Sequence, residues 1–202
     1  MKRIALLVVL LFGTTLLNAQ GLSGPYVGGY LAAASGEANW DAPANHSISG
    51  GLIGVQGGYN WVRQRALLGV QADFGVGSVE GSSRCPNPTF ECKTELFSLF
   101  TLRGRVGPVF GNVAPYVTGG IASAGVRTSV DNHANSKDDD SAAHAGWIAG
   151  LGITGLASRR ILWQAEYLHA DFGKEEHVMQ GLPTQVKVKL DVFRVGVHYK
   201  FF

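Results

Sequence analysis

Charged residues are scarce in this chain: they make up 16% of its 202 residues, against about 25% in typical soluble domains. Proline is also rare, and the 28 glycines follow no Gly-X-Y period, which excludes a collagen-like chain. An apolar share of 46% excludes a disordered chain. Glycine at this density disfavours helices, because each interior glycine costs about 1 kcal/mol relative to alanine. The composition therefore predicts a glycine-rich all-β protein.

The first nineteen residues have the pattern of an export signal. Lys2 and Arg3 precede the apolar stretch 4–17, and Ala19 offers a small residue for cleavage. The apolar stretch is shorter than the roughly 20 residues of a spanning helix. We therefore expect residues 1–19 to be a cleaved signal peptide and residues 20–202 to form one domain. Cleavage removes two of the 17 Lys+Arg, leaving 15 against 15 Asp+Glu, and this balance excludes the basic surface of a nucleic-acid partner.

Cysteine is limited to Cys85 and Cys92, and two prolines lie between them. In an exported protein this spacing predicts a disulfide that closes a loop. A metal site is the weaker alternative, since no histidine or second cysteine pair lies nearby in the sequence. We expect no cofactor and no metal.

Segments with a period of two, rich in β-branched and aromatic residues, recur along the chain. They cover 24–35, 49–62, 66–80, 94–109, 115–128, 144–157, 161–173 and 185–201. The gaps alternate between short (63–65, 110–114, 158–160) and long and polar (36–48, 81–93, 129–143, 174–184). This pattern is typical of a transmembrane β-barrel with eight antiparallel strands. In such a barrel the termini and short turns are periplasmic and the long loops extracellular.

The uncharged stretch 106–126 is the best candidate for a membrane helix outside the leader. It contains Pro108, Pro115 and five glycines, each of which disfavours a helix. We therefore expect two strands joined by a tight turn.

Polar residues of one parity along the strands are expected to face the barrel interior, because a charge at mid-membrane on the lipid face costs about 2–4 kcal/mol. The expected lumen set is Gln71, Asp73, Arg103, Arg105, Gln164, Glu166, Arg194, His198 and Lys200. Eight strands leave room only for side chains, so this set should fill the lumen with ion pairs; an open pore is the alternative. The stretch 187–191 has the opposite parity, which predicts a bulge near Val192 or pairing that extends above the membrane.

Aromatic residues cluster near the strand ends at the short turns. We expect them to form an interfacial girdle, and the alternative is the core of a water-soluble sandwich. The expected girdle is Tyr26, Tyr59, Trp61, Tyr116, Trp163, Tyr199 and Phe201.

The end of the chain, 195–202, resembles the C-terminal signal of outer-membrane barrels, with Tyr199, Phe201 and Phe202 as its aromatic residues. The stretches 102–108, 114–122, 146–153 and 164–173 resemble the small porin-like outer membrane protein β-barrel domain family, which includes opacity-type adhesins of Gram-negative bacteria. The resemblance implies a place in the outer membrane. It also implies contact with membrane lipid and lipopolysaccharide, assembly by the barrel-assembly machinery, and a host or cell-surface ligand.

Catalytic patterns are weak. The glycines of 150–155 match a dinucleotide motif, but they lie inside a predicted strand with no helix after it. His169 with Asp171 is the nearest pair for a lipid-modifying hydrolase, yet no serine shares that strand. Asp131 with 137–140 could bind a divalent cation, and a solvated loop is the alternative. We therefore predict a non-enzymatic surface protein with a structural or adhesive role. A passive channel and a lipid A-modifying enzyme are the alternatives.

Overall fold

The chain folds into one closed antiparallel barrel. The computed structural model describes residues 19–40, 46–84, 91–131, 137–179 and 182–201. A 3₁₀-helical turn, Ala19–Leu22, precedes eight strands: β1 (Gly24–Trp40), β2 (His46–Arg63), β3 (Ala66–Arg84), β4 (Glu91–Pro108), β5 (Val113–Asp131), β6 (Lys137–Leu156), β7 (Ile161–Met179) and β8 (Leu182–Lys200). Each strand pairs with its sequence neighbours, and β8 pairs with β1 to close the sheet. The predicted eight-stranded barrel is confirmed.

Two ends of the barrel differ in their connections. At the short-turn end the strands are joined by residues 64–65, 109–112 and 157–160. The stretch 106–126 indeed contains a turn between two strands. At the other end, which we call the distal end, the connections are residues 41–45, 85–90, 132–136 and 180–181. Within the described ranges no helix is long and apolar enough to cross a membrane.

The strands are longer than the sequence pattern predicts, with 17 to 20 residues each. At about 3.3 Å per residue and a tilt near 40°, such strands reach about 45 Å along the barrel axis. The apolar band of an outer-membrane barrel is only about 25 Å tall, so roughly 20 Å of the barrel lies beyond it. The predicted long loops 36–48, 81–93, 129–143 and 174–184 are therefore mostly strand, and their predicted extent is wrong. Outside the bilayer, polar residues are as compatible with a strand as with a loop. The strand ends could therefore not be located from the polarity of the sequence.

The inside of the barrel changes from polar to apolar toward the distal end. In β8 the inward residues Val188, Leu190 and Val192 are apolar, whereas Arg194 and His198 continue the same parity below them. They belong to an apolar core that we call the distal core: Ala34, Ile48, Leu52, Val79, Leu96, Leu99, Ala122, Ala124, Val126, Ile148, Leu168, Ala170, Phe172, Val188, Leu190 and Val192. The strand above Arg194 thus carries apolar residues inside and polar ones outside.

This inversion corrects one prediction for β8. The register of β8 with β1 and with β7 runs evenly through Val192, so the bulge predicted there is wrong. The pairing extends upward instead, which was the alternative. The register shift of this strand pair lies on β7, between Asp171 and Lys174.

Neighbouring glycines on β5 give a matched test of the narrow lumen. A Cβ added at Gly120, which faces inward, would lie 2.0 Å from the Leu102 carbonyl oxygen, whereas one at the outward Gly119 meets nothing closer than 3.7 Å. We expect Gly120→Ala to lower the free energy of unfolding by about 1–3 kcal/mol through forced backbone movement, and Gly119→Ala to leave it nearly unchanged. Urea unfolding of the folded barrel in lipid would measure both. Equal losses would contradict the assigned faces.

Candidate functional site

Polar side chains fill the middle of the lumen, between the distal core and the short turns. All the residues expected there from sequence lie inside the barrel and are buried: Gln71, Asp73, Arg103, Arg105, Gln164, Glu166, Arg194, His198 and Lys200. The outward face at the same level is apolar and exposed, as at Leu31, Val55 and Leu102. Polar inside and apolar outside is the arrangement that a lipid environment requires.

Four ionised side chains form the centre of this layer. Arg103 lies 3.0 Å from Asp73 and 3.3 Å from Glu166, and Arg194 lies 3.1 Å from Asp73 and also donates to Glu166. Each carboxylate therefore contacts both guanidinium groups. Thr101 donates to Asp73 at 2.6 Å. Such mutual pairing is required because an unpaired buried charge is strongly unfavourable.

Arg105 lies outside this quartet and has no carboxylate partner in the described network. Its guanidinium carbon lies 4.9 Å from the ring centre of Tyr26 and 5.2 Å from that of Tyr116. Its nitrogens donate to the side-chain oxygens of Asn60, at 2.6 Å, and Gln71, at 3.1 Å. Amide oxygens and aromatic faces thus balance this charge, as cation–π contacts do for desolvated arginines.

Two residues predicted for the girdle, Tyr26 and Tyr116, do not lie on the barrel exterior, so this part of the prediction is wrong. Tyr26 and Tyr116 are buried in the lumen, where Tyr26 donates to Gln71 at 2.8 Å and Tyr116 donates to Glu166 at 2.7 Å. Burial of a tyrosine is favourable when its hydroxyl finds a partner. Both also lie over Arg105, so they belong to the luminal network.

The other girdle aromatics lie on the barrel exterior near the short turns. The Tyr59 and Trp61 rings are 4.6 Å apart, and the Tyr199 and Phe201 rings are 5.5 Å apart. Trp163 is partly exposed on β7. Their position fits the aromatic band of a membrane interface.

The short-turn end of the lumen is closed by the 3₁₀-helical turn and a second apolar cluster. Leu22 is fully buried there with Leu67 and Leu162. The Lys200 ammonium donates to the Gly21 carbonyl at 2.7 Å, and the Asn60 amide donates to the Leu22 carbonyl at 3.1 Å. The polar layer is thus bounded by apolar packing on both sides.

The lumen set expected from sequence omits several members of the luminal network. Tyr30, Gln56, Asn60 and Thr101 belong to it, with Tyr30 beneath the Arg194 guanidinium and Gln56 donating to Gln164 at 2.9 Å. Strand parity was the available signal: Gln56 and Asn60 share the inward parity of β2, as Tyr30 shares that of Tyr26 on β1. The aromatic character of Tyr30 concealed its polar role.

Some predicted sites lie outside the described residues. Cys85, the side chain of Cys92 and Phe202 are among them, and the disulfide and the assembly signal stay predictions. The side chains of Asp131 and of residues 137–140 also lie outside the described part of the structure. The divalent-cation site considered for them stays a hypothesis.

The histidine considered for hydrolysis has a different partner from the one expected. His169 Nδ1 lies 2.8 Å from Asp191 Oδ1 on β8, and the Tyr167 hydroxyl donates to the same carboxylate at 2.9 Å. Asp171, the partner suggested by sequence, is not the partner of this contact. The described contacts bring no serine to His169, so the group lacks the nucleophile that a hydrolytic triad needs.

A closed antiparallel barrel with an apolar exterior, an aromatic band and a polar, ion-paired interior defines the class of membrane-spanning outer-membrane barrels. The sequence matches the family model of the outer membrane protein beta-barrel domain over residues 4–201. The chain belongs to this family, and it is an outer-membrane protein.

Known relatives agree with this assignment. The 25 kDa outer-membrane immunogenic protein of Brucella melitensis is 28% identical over 179 residues, which cover 89% of this chain and 79% of that protein. A 22 kDa outer membrane protein of Rhizobium leguminosarum is 25% identical, over 71% of this chain and 63% of that protein. Among solved structures, the outer membrane protein OprG of Pseudomonas aeruginosa has a TM-score of 0.54 at 16% identity, covering 91% of this chain and 99% of that one. That likeness concerns the fold alone.

Proposed function

We propose that this protein is a non-enzymatic surface protein of the outer membrane that acts through its distal connections, as a structural or adhesive element. The filled lumen is the observation that carries the proposal. The Arg103–Asp73–Arg194–Glu166 quartet occupies the centre of the barrel, and apolar clusters pack above and below it. A lumen filled in this way supports a rigid scaffold over a passive channel.

The shape of the barrel supports an outward-reaching role. In the proposed orientation the short-turn end is periplasmic and the distal end is extracellular. About 20 Å of strand then rises above the apolar band, and residues of the distal core such as Ile48, Leu96 and Val188 pack inside its lower part. The distal ends of the strands are therefore held away from the lipid surface on a packed support. The Brucella relative is named as immunogenic, and a role at the cell surface is consistent with that name.

Replacement of the distal connections tests this role. We expect a chain with residues 41–45, 85–90, 132–136 and 180–181 replaced by Gly-Ser segments to fold and insert, but to lose attachment to host cells when displayed on a non-adherent bacterium. The control replaces the short turn 109–112 in the same way and should leave attachment intact. Attachment retained without the distal connections, or absent from the intact protein, would refute the adhesive role.

Two further proposals concern maturation. We expect the exported chain to begin at Gln20 and to carry a Cys85–Cys92 disulfide. The intact mass of the exported protein under non-reducing conditions tests both at once. A retained leader or two free thiols would refute the corresponding proposal.

A further inference from the structure

Charged residues on the barrel exterior are divided between its two ends. Among the residues whose side chains the structure describes, the outward carboxylates all lie toward the distal end: Glu37, Glu80, Glu95, Asp171 and Asp191. Four arginines lie at the short-turn end: Arg63, Arg65, Arg159 and Arg160. The turns that carry them, 63–65 and 157–160, contain no aspartate or glutamate. Among the side chains that the structure describes, the short-turn exterior therefore carries net positive charge.

The four arginines form two pairs on opposite sides of the barrel. Arg63 and Arg65 lie at the turn between β2 and β3, and Arg159 and Arg160 lie at the turn between β6 and β7. In a ring of eight strands these two turns are four strands apart, which is half the circumference. All four arginines are exposed. Each pair can therefore bind a separate ligand.

The arginines lie at the level of the aromatic girdle. Arg160 donates to the Tyr199 hydroxyl at 2.9 Å, and Arg63 follows Trp61 by two residues at the end of β2. Aromatic residues of this kind mark the depth of lipid headgroups. The guanidinium groups are thus at the depth where lipid phosphates lie.

Arg65 also occupies a backbone conformation that disfavours it. Gln64 and Arg65 have φ values of 49° and 67°, the left-handed region that hairpin turns normally fill with asparagine and glycine. A residue with a Cβ pays roughly 1–2 kcal/mol there. The presence of arginine at this position is consistent with a use for its charge.

We propose that the two arginine pairs bind the phosphate groups of anionic phospholipids, such as phosphatidylglycerol, in the leaflet that surrounds the short-turn end. The guanidinium fork matches two phosphate oxygens, and Arg binds phosphate with geometric specificity. Two opposed anchors of this kind fix the depth and tilt of the barrel. In the orientation proposed above, this leaflet is the periplasmic one. The preference for anionic lipid does not depend on that orientation.

The test measures lipid preference of the full folded chain. The mature protein is placed in nanodiscs of phosphatidylcholine with one fifth phosphatidylglycerol. Electron paramagnetic resonance of spin-labelled lipids then measures how strongly the barrel prefers phosphatidylglycerol over phosphatidylcholine. We expect phosphatidylglycerol to be preferred and the preference to fall as salt rises. R63Q/R65Q and R159Q/R160Q should each remove about half of the preference at low salt, because each double variant leaves the opposite pair intact, and the quadruple variant should abolish it. R159K/R160K should retain most of it.

Controls separate the arginines from general charge effects. Lys189→Gln removes an outward cation near the distal end and should not change the preference. The heat-dependent gel mobility of each variant verifies that the barrel is folded. No preference in the intact protein, a preference unchanged in the folded quadruple variant, or an equal loss in Lys189→Gln would overturn the proposal.

Other partners of the arginines are distinguishable in the same set of variants. The intact protein and the quadruple variant are also sedimented with purified peptidoglycan. If the quadruple variant loses this binding while its lipid preference stays unchanged, the arginines bind the cell wall and the proposal is overturned. Surface labelling of Gln64→Cys in whole cells tests the orientation separately. Labelling from outside would refute the proposed orientation and the periplasmic leaflet, but not lipid binding measured in nanodiscs.

Discussion

Replacing Glu166 by alanine is expected to lower the free energy of unfolding by about 3–5 kcal/mol, the cost of removing one partner of a buried ion pair. Glu166 accepts from Arg103, Arg194 and Tyr116, and its side chain is fully buried. Without it, Arg103 and Arg194 share the single carboxylate of Asp73, and one positive charge is left uncompensated in the lumen. Urea unfolding of the barrel in lipid vesicles measures the loss.

Asp191 provides the matched control for this substitution. It also accepts from two side chains, His169 and Tyr167, but it lies on the exterior with 41% of its side chain exposed. Exposed pairs contribute about 0–1 kcal/mol, so Asp191→Ala should cost at most that amount. A similar loss in both variants, or a loss below about 1 kcal/mol for Glu166→Ala, would show that the luminal quartet does not hold the barrel together.

Replacing Phe172 by alanine is expected to cost about 3–5 kcal/mol, the usual range for a large aromatic removed from a packed core. Phe172 is 1% exposed and belongs to the distal core, where it lies inside the barrel above the polar layer. It lies at the register shift of β7, one residue beyond the last β6 partner at Asp171, and it is held by packing inside the barrel. The expected loss comes from the cavity that the substitution leaves among the side chains of the distal core.

Phe193 on β8 is the control for the distal core. It is the same residue type but faces outward and is 55% exposed. Its replacement by alanine removes contacts with lipid and leaves no internal cavity, so a clearly smaller loss is expected. If Phe193→Ala destabilises the folded barrel as much as Phe172→Ala, the distal core does not have the packing described above.

The fold could be predicted from sequence because strand parity carries strong physical constraints. Arg103, Arg105 and Arg194 cannot face lipid without a large cost, so each fixes the orientation of its strand. Once those strands are oriented, Asp73 and Glu166 follow by the same alternation. Alternating short and long gaps then predict the strand order. The luminal set was predictable for this reason.

Residue type alone could not place the tyrosines or the distal parts of the strands. The ring of a tyrosine suits an interface and its hydroxyl suits a polar lumen, so only strand parity distinguishes Tyr26 and Tyr116 from Tyr59. Above the bilayer the outside is water, which reverses the polarity of the two faces without changing the register. Val188, Leu190 and Val192 follow this reversed pattern, and the sequence argument left a bulge and upward pairing as alternatives.

The identity of a partner could not be predicted from either source. Strand alternation constrains the barrel wall, whereas residues in surface connections contact water and are free of that constraint. The resemblance to a surface-barrel family was sufficient to predict the fold and the outer membrane, and the family match over residues 4–201 bears both out.

The central claim is that side chains close the lumen from end to end, and single-channel recording in a planar bilayer tests it most directly. Intact mature protein inserted at high density is expected to give no ohmic steps, because the Arg103–Glu166 layer lies between two apolar clusters. Stable, voltage-independent conductance from the folded, purified protein, altered by substitution at Arg103, would contradict the account.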